Sequence, residues 1–152
     1  MLNVGVRWLA ITAILITYAV PAHAVVSLEE ELKDGKLLTC FVYSMQTIPL
    51  LNQLQQQIHK DQIDEDTQQI VRAVGGQEKI PLARIDAEFV LETFAKKVTD
   101  RHIIQLDEKL LDNQMWKLSN MLYAESMKDK SFKDKFLETF RFTQTCIDEF
   151  LH

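Results

Sequence analysis

The sequence predicts an all-α, single-domain bundle of five or six helices, with one disulfide joining the first helix to the last. Three observations predict it. Apolar residues recur in steps of three and four along most of the chain, and no stretch alternates with period two for long enough to make a strand. Only four Gly and three Pro occur in 152 residues, too few for a turn-rich all-β chain or a flexible linker. The two cysteines, Cys40 and Cys146, fall in the first and last of the helical stretches.

Residues 1–24 read as a secretory signal peptide and are set aside from the fold. Arg7 is the only charged side chain among them, and the apolar run that follows ends at Pro21. That run is shorter than the ~20 residues a spanning helix needs. Ala22-His23-Ala24 then puts small residues at the −3 and −1 positions, so cleavage is expected between Ala24 and Val25. The mature domain is residues 25–152, expected in the periplasm, with secretion as the alternative. Val25, not a cysteine, stands immediately after the cleavage site, and no second segment is long and apolar enough to span a bilayer.

The first helix opens with a capping box, Ser27-x-x-Glu30, and Glu29, Glu30 and Glu31 suit the positive end of a helix dipole. Leu28, Leu32, Leu38, Val42 and Met45 supply its apolar stripe, widened by Phe41 and Ile48. Pro49 is expected to end or kink this helix near Ile48 and to stand in the first turn of a second one, carrying Leu51, Leu54 and Ile58. Residues 61–66 are an acidic run at a turn or helix start; Ile70, Val71 and Val74 follow, and Gly75-Gly76 stop that helix.

Residues 77–84 are the least helical stretch. Asp86 is expected to cap a helix bearing Phe89, Val90, Phe94 and Val98. A further helix begins near Leu106 or Asp107 and carries Leu111, Met115, Leu118 and Leu122. Ser131 caps the last, where Phe132, Phe136, Phe140, Thr143, Ile147 and Phe150 step by three and four.

In an exported chain an even pair of cysteines reads as a disulfide, against the alternative of two buried thiols. A Cys40–Cys146 bridge closes a loop of 106 positions, which constrains the unfolded chain strongly.

Composition and motifs exclude several functions. Net charge is −5, or −6 once Arg7 is removed, and no basic stripe occurs, against nucleic-acid and membrane-surface binding. No G-x-S-x-G elbow, H-E-x-x-H helix, P-loop or G-x-G-x-x-G is present. His59 and His102 sit among charged neighbours, His152 is terminal, and a disulfide removes both thiols from catalysis. We therefore expect no enzyme activity, cofactor or metal. Asp61, Asp64, Glu65 and Asp66 lack the alternation, central Gly and terminal Glu of an EF-hand loop and read as a solvated cap.

Two places remain for a working surface. Residues 75–84 form an expected surface loop carrying Ile80, Pro81 and Leu82, followed by Arg84. These apolar residues either plug the loop onto the core or dock into another protein, with Pro81 lowering the ordering cost and Arg84 offering a planar donor array. Trp116 and Tyr123 lie off the Leu111/Met115/Leu118/Leu122 line. They form either a shoulder of a wide core stripe or part of a protein interface.

Lys36-Leu37-Leu38-Thr39-Cys40 and Thr145-Cys146-Ile147-Asp148, in a small exported helical chain, resemble the periplasmic immunity proteins that neutralise amidases delivered by type VI secretion. The resemblance covers the two ends and the layout, not the middle. It implies a non-enzymatic protein that binds a peptidoglycan-cleaving toxin, with a loop entering the toxin's active-site cleft. Two alternatives are a periplasmic chaperone or adaptor, which would show a broad apolar patch, and a binder of small apolar ligands, which would show an enclosed pocket.

Overall fold

A computed structural model of the chain describes residues 27–105 and 108–152, with side-chain surroundings for 27–105 and 115–152. The expected signal segment, its Ala24/Val25 cleavage site, the helix start at Leu106 or Asp107 and the side chain of Leu111 lie outside these. Among the described residues there are five α-helices and no strand: α1 (Leu28–His59), α2 (Glu65–Val74), α3 (Ile80–Asp100), α4 (Glu108–Ser126) and α5 (Phe132–Phe150). A short 3-10 turn, Gln77–Lys79, leads into α3. No described helix is long and apolar enough to cross a membrane.

α1 is the spine of the bundle, and α3, α4 and α5 all pack on it. Its 32 residues make a rod of ~48 Å. Ser27 caps it as expected: its hydroxyl accepts from the Glu30 N–H, and the Glu30 carboxylate accepts from the Ser27 N–H. From Ser44 to Leu51 every side chain of α1 is buried, so this segment is surrounded on all sides. Leu50, Leu51, Leu54, Met45 and Ile48 meet Ile80, Phe94 and Val98 of α3 and Phe136 of α5 in one continuous core.

The directions of the helices follow from specific pairs. Arg101, just after α3, bonds Asp34 near the start of α1, so α3 runs antiparallel to α1. Cys40 and Cys146 are joined, with Cα atoms 5.6 Å apart, and Lys36 pairs with Glu149 at 3.1 Å. Thr47 and Thr143 share a buried hydroxyl–hydroxyl bond of 3.0 Å one step further along. α5 therefore also runs antiparallel to α1, and the disulfide joins the first and last helices.

The local stop and start signals work as the residue types dictate. Asp64 caps α2 by accepting from the Thr67 N–H at 2.7 Å. Gly75 ends α2 with φ of 102°, and the Gly75 and Gly76 N–H groups bond the Arg72 and Val71 carbonyls in a Schellman closure. Ser131 caps α5 by accepting from the Asp134 N–H at 3.2 Å.

Three expectations are corrected. Pro49 neither ends nor divides the first helix: α1 continues through it to His59. A proline in a helix interior removes the N–H that would serve the carbonyl four residues earlier. That carbonyl, of Met45, instead accepts from the hydroxyl of Ser119 on α4. With burial on all sides and the orphaned acceptor satisfied, tertiary contacts outweigh the local cost of the proline.

Residues 75–84 are not a loop throughout. The 3-10 turn occupies Gln77–Lys79 and α3 begins at Ile80, six residues before the expected Asp86 cap. Pro81 falls in the first turn of α3, where no intrahelical partner is needed for an N–H.

The apolar stripes are also misassigned in part. Leu28 and Leu32 are 72% and 62% exposed, because the first turns of α1 precede its entry into the core. On α4 the inward line is Met115, Ser119 and Leu122 rather than one through Leu118, since Ser119 is the residue drawn to the Met45 carbonyl.

Candidate protein-binding face

α3 carries two apolar stripes. The inner one, Ile80, Ala87, Val90, Leu91, Phe94, Ala95 and Val98, is buried against α1. The outer one, Leu82, Ile85 and Phe89, steps by three and four and is 53%, 60% and 65% exposed. A soluble helix ordinarily turns a charged face outward. Here three large apolar side chains stand in line on that face.

Beside this stripe lies a cleft of about 260 Å³ between α3 and α4, lined by Ile48, Glu88, Leu91, Glu92, Met115, Trp116 and Ser119. Ile48, Leu91 and Ser119 are buried and form its floor, while Glu88, Glu92 and Trp116 are more exposed and form its rim. Glu88 and Glu92 are one helical turn apart, on the side of α3 next to Phe89. Arg84 reaches along the helix to Glu88, its Nε 3.2 Å from Oε1.

The residues singled out in the sequence fall in different places. Ile80 is 1% exposed and belongs to the core. Pro81 and Arg84 line an open groove of about 900 Å³ between the end of α1 and the start of α3, with His59, Lys60, Asp61 and Gln77. Leu82 stands on the outer stripe. Trp116 is on the cleft rim. Tyr123 is half-buried against Pro49, Asn52 and Gln53 in a separate groove between α1 and α4, and burial raises its phenol pKa. The structure thus brings Pro81 together with Arg84, and Trp116 close to the residues flanking Phe89. Tyr123 lines neither the cleft nor the Pro81/Arg84 groove, although its own groove shares Asn52, Gln56 and Lys60 with the latter.

Sequence periodicity puts Phe89 on the core stripe and gives Ile85, Glu88 and Glu92 no role. The signal was present: Leu82, Ile85 and Phe89 form an i, i+3, i+7 line distinct from the one through Val90, Phe94 and Val98. Assigning Phe89 to the core stripe hid it.

The two described histidines outside the C-terminus lie far apart. His59 lies in the last turn of α1 and His102 just beyond α3, so the antiparallel packing puts them at opposite ends of the bundle. His102 adopts a left-handed conformation, φ 56°, at the end of its helix. Among the described residues no three His, Cys, Asp or Glu side chains are grouped as metal ligands. In the acidic run Asp64 is held below the usual carboxylate range by its hydrogen bonds from Thr67.

Comparison of the chain with models of protein families, with curated proteins and with solved structures finds no match.

Proposed function

We propose that this protein is non-enzymatic and acts by binding another protein through the outer face of α3 and the adjoining rim of α4. The observation that carries the reading is the line of Leu82, Ile85 and Phe89, exposed on one face of a helix whose other face already fills the core. Aligned apolar side chains cost solubility without adding to this core, and such surfaces mark sites of association. Trp116, on the rim beside them, is the residue type that most often anchors a protein interface.

The likeness of the Cys40 and Cys146 segments to periplasmic immunity proteins supplies a partner class: a cell-wall-degrading toxin, bound and inhibited in the periplasm. The experiment uses the oxidised protein as bait on cell-envelope extract, with an Ile85→Asp/Phe89→Asp variant beside it. A partner captured by the wild type and lost by a variant of unchanged melting temperature supports the binding face. Inhibition of peptidoglycan cleavage by that partner supports the immunity reading. Capture that survives both substitutions overturns the assignment to α3.

A further inference from the structure

We propose that the cleft between α3 and α4 is a socket for an arginine side chain of the protein partner, an inference that rests on the binding face described above. At about 260 Å³ the cleft is smaller than the ~300–1,000 Å³ typical of small-molecule sites and suits one long side chain. Its floor is apolar at Ile48 and Leu91, with Met115 beside them, and the hydroxyl of Ser119 is already committed to the Met45 carbonyl, so the floor complements the methylene stem of such a chain. The rim carries the opposite chemistry. Trp116 lines it with an indole, a ring type that attracts cations, and Glu88 and Glu92 line it with carboxylates one helical turn apart.

Arginine fits this combination better than lysine. A guanidinium is planar, stacks on an indole, donates to two carboxylate oxygens at once and is less strongly hydrated than an ammonium. The protein already demonstrates the pairing on its own rim, where the Arg84 guanidinium bonds Glu88 Oε1. That contact leaves Oε2 of Glu88 for a further donor. Among the described residues no cation pairs with Glu92. Phe89 follows Glu88 in the chain and Ile85 precedes it by three residues, so a partner seated on this exposed apolar line would cover the neighbouring cleft and keep water from its charged contact, the setting in which a central arginine contributes most to an interface. The net charge of −5 favours approach of a basic partner surface.

The test titrates the folded, oxidised protein with N-acetylarginine amide, N-acetyllysine amide and N-acetylnorleucine amide. The readout is the indole N–H resonance of Trp116, assigned with a Trp116→Phe variant. The expected result is a saturable shift with the arginine probe, a weaker one with lysine and none with norleucine. Glu88→Gln/Glu92→Gln, which keeps shape and removes charge, should weaken the arginine probe about tenfold at unchanged melting temperature. An equal response to norleucine, no saturable response to arginine, or binding indifferent to the double Gln substitution overturns the socket. A second arm separates this inference from the reading beneath it. A partner lost by Ile85→Asp/Phe89→Asp yet held undiminished by Glu88→Gln/Glu92→Gln keeps the α3 face and removes the arginine anchor. A partner lost by both variants supports both.

Discussion

The hydroxyl of Ser119 donates to the main-chain carbonyl of Met45, the acceptor that Pro49 leaves without an intrahelical partner. A buried carbonyl with no donor costs ~1–3 kcal/mol, against a net worth of ~0.5–1.5 kcal/mol for an ordinary hydrogen bond. Ser119 is 3% exposed and comes from a different helix, so a tertiary contact repairs a local defect of α1.

A double-mutant cycle follows from that geometry. Ser119→Ala should destabilise the protein by ~1–3 kcal/mol in urea unfolding, because the Met45 carbonyl then has neither partner. Pro49→Ala restores a backbone N–H at the position that ordinarily serves this carbonyl. In the Pro49→Ala background the same Ser119→Ala substitution should cost less than ~1 kcal/mol. Equal costs in the two backgrounds would show that the hydroxyl acts by packing alone.

The same pair shows what was legible in the sequence. Helix content, the caps at Ser27 and Ser131, the Gly75-Gly76 stop and the pairing of Cys40 with Cys146 are local or compositional signals, and they read directly. The continuity of α1 is not local, since Pro49 carries every sign of a break and the residue that overrules it lies 70 positions away in the sequence. Phe89 fails for a related reason. Periodicity shows that an apolar residue belongs to a helix, but only the placement of neighbouring helices decides which face is covered.

The start of α3 separates core from surface within three residues. Ile80→Ala should cost ~2–5 kcal/mol, as expected for a fully buried aliphatic side chain. Leu82→Ala, on a side chain 53% exposed, should change stability by no more than ~0.5 kcal/mol. Thermal melts of the two single variants check this. Similar losses from both would place Leu82 in the core.

The Cys40–Cys146 link should dominate sensitivity to reductant. Cys40→Ser/Cys146→Ser, or reduction of the wild type, should lower unfolding free energy by ~2–5 kcal/mol. Guanidinium titrations with and without dithiothreitol measure it. No change on reduction would mean that the link adds nothing to a bundle already held by packing.

Acid should weaken the protein through two carboxylates. Hydrogen bonds from Thr67 lower the pKa of Asp64 below its ordinary 3.8, and Lys130, by hydrogen bond, lowers that of Glu138 below 4.5. A group whose folded pKa is depressed stabilises the fold above its unfolded value, and that contribution disappears as pH falls through the folded value. Melting temperature should therefore hold steady above about pH 5 and fall on acidification from there. Asp64→Asn and Glu138→Gln should each flatten part of that decline. A wild-type profile level down to about pH 2 would contradict both.

The central placement of α1 bears on the order in which the molecule can be made. The segment enclosed on all sides belongs to the first third of the chain, whereas α5, which closes one of those sides, is the last helix. Thr47 waits for Thr143 and Cys40 for Cys146, separations of 96 and 106 positions. Until α5 is available, the first helix exposes much of its apolar surface, and long loops must close before these contacts form. Closure of the bundle thus waits until α5 has been delivered. A chain that stops before α5 lacks the surface that makes α1 a core, and remains a substrate for chaperones and proteases rather than a smaller version of the bundle.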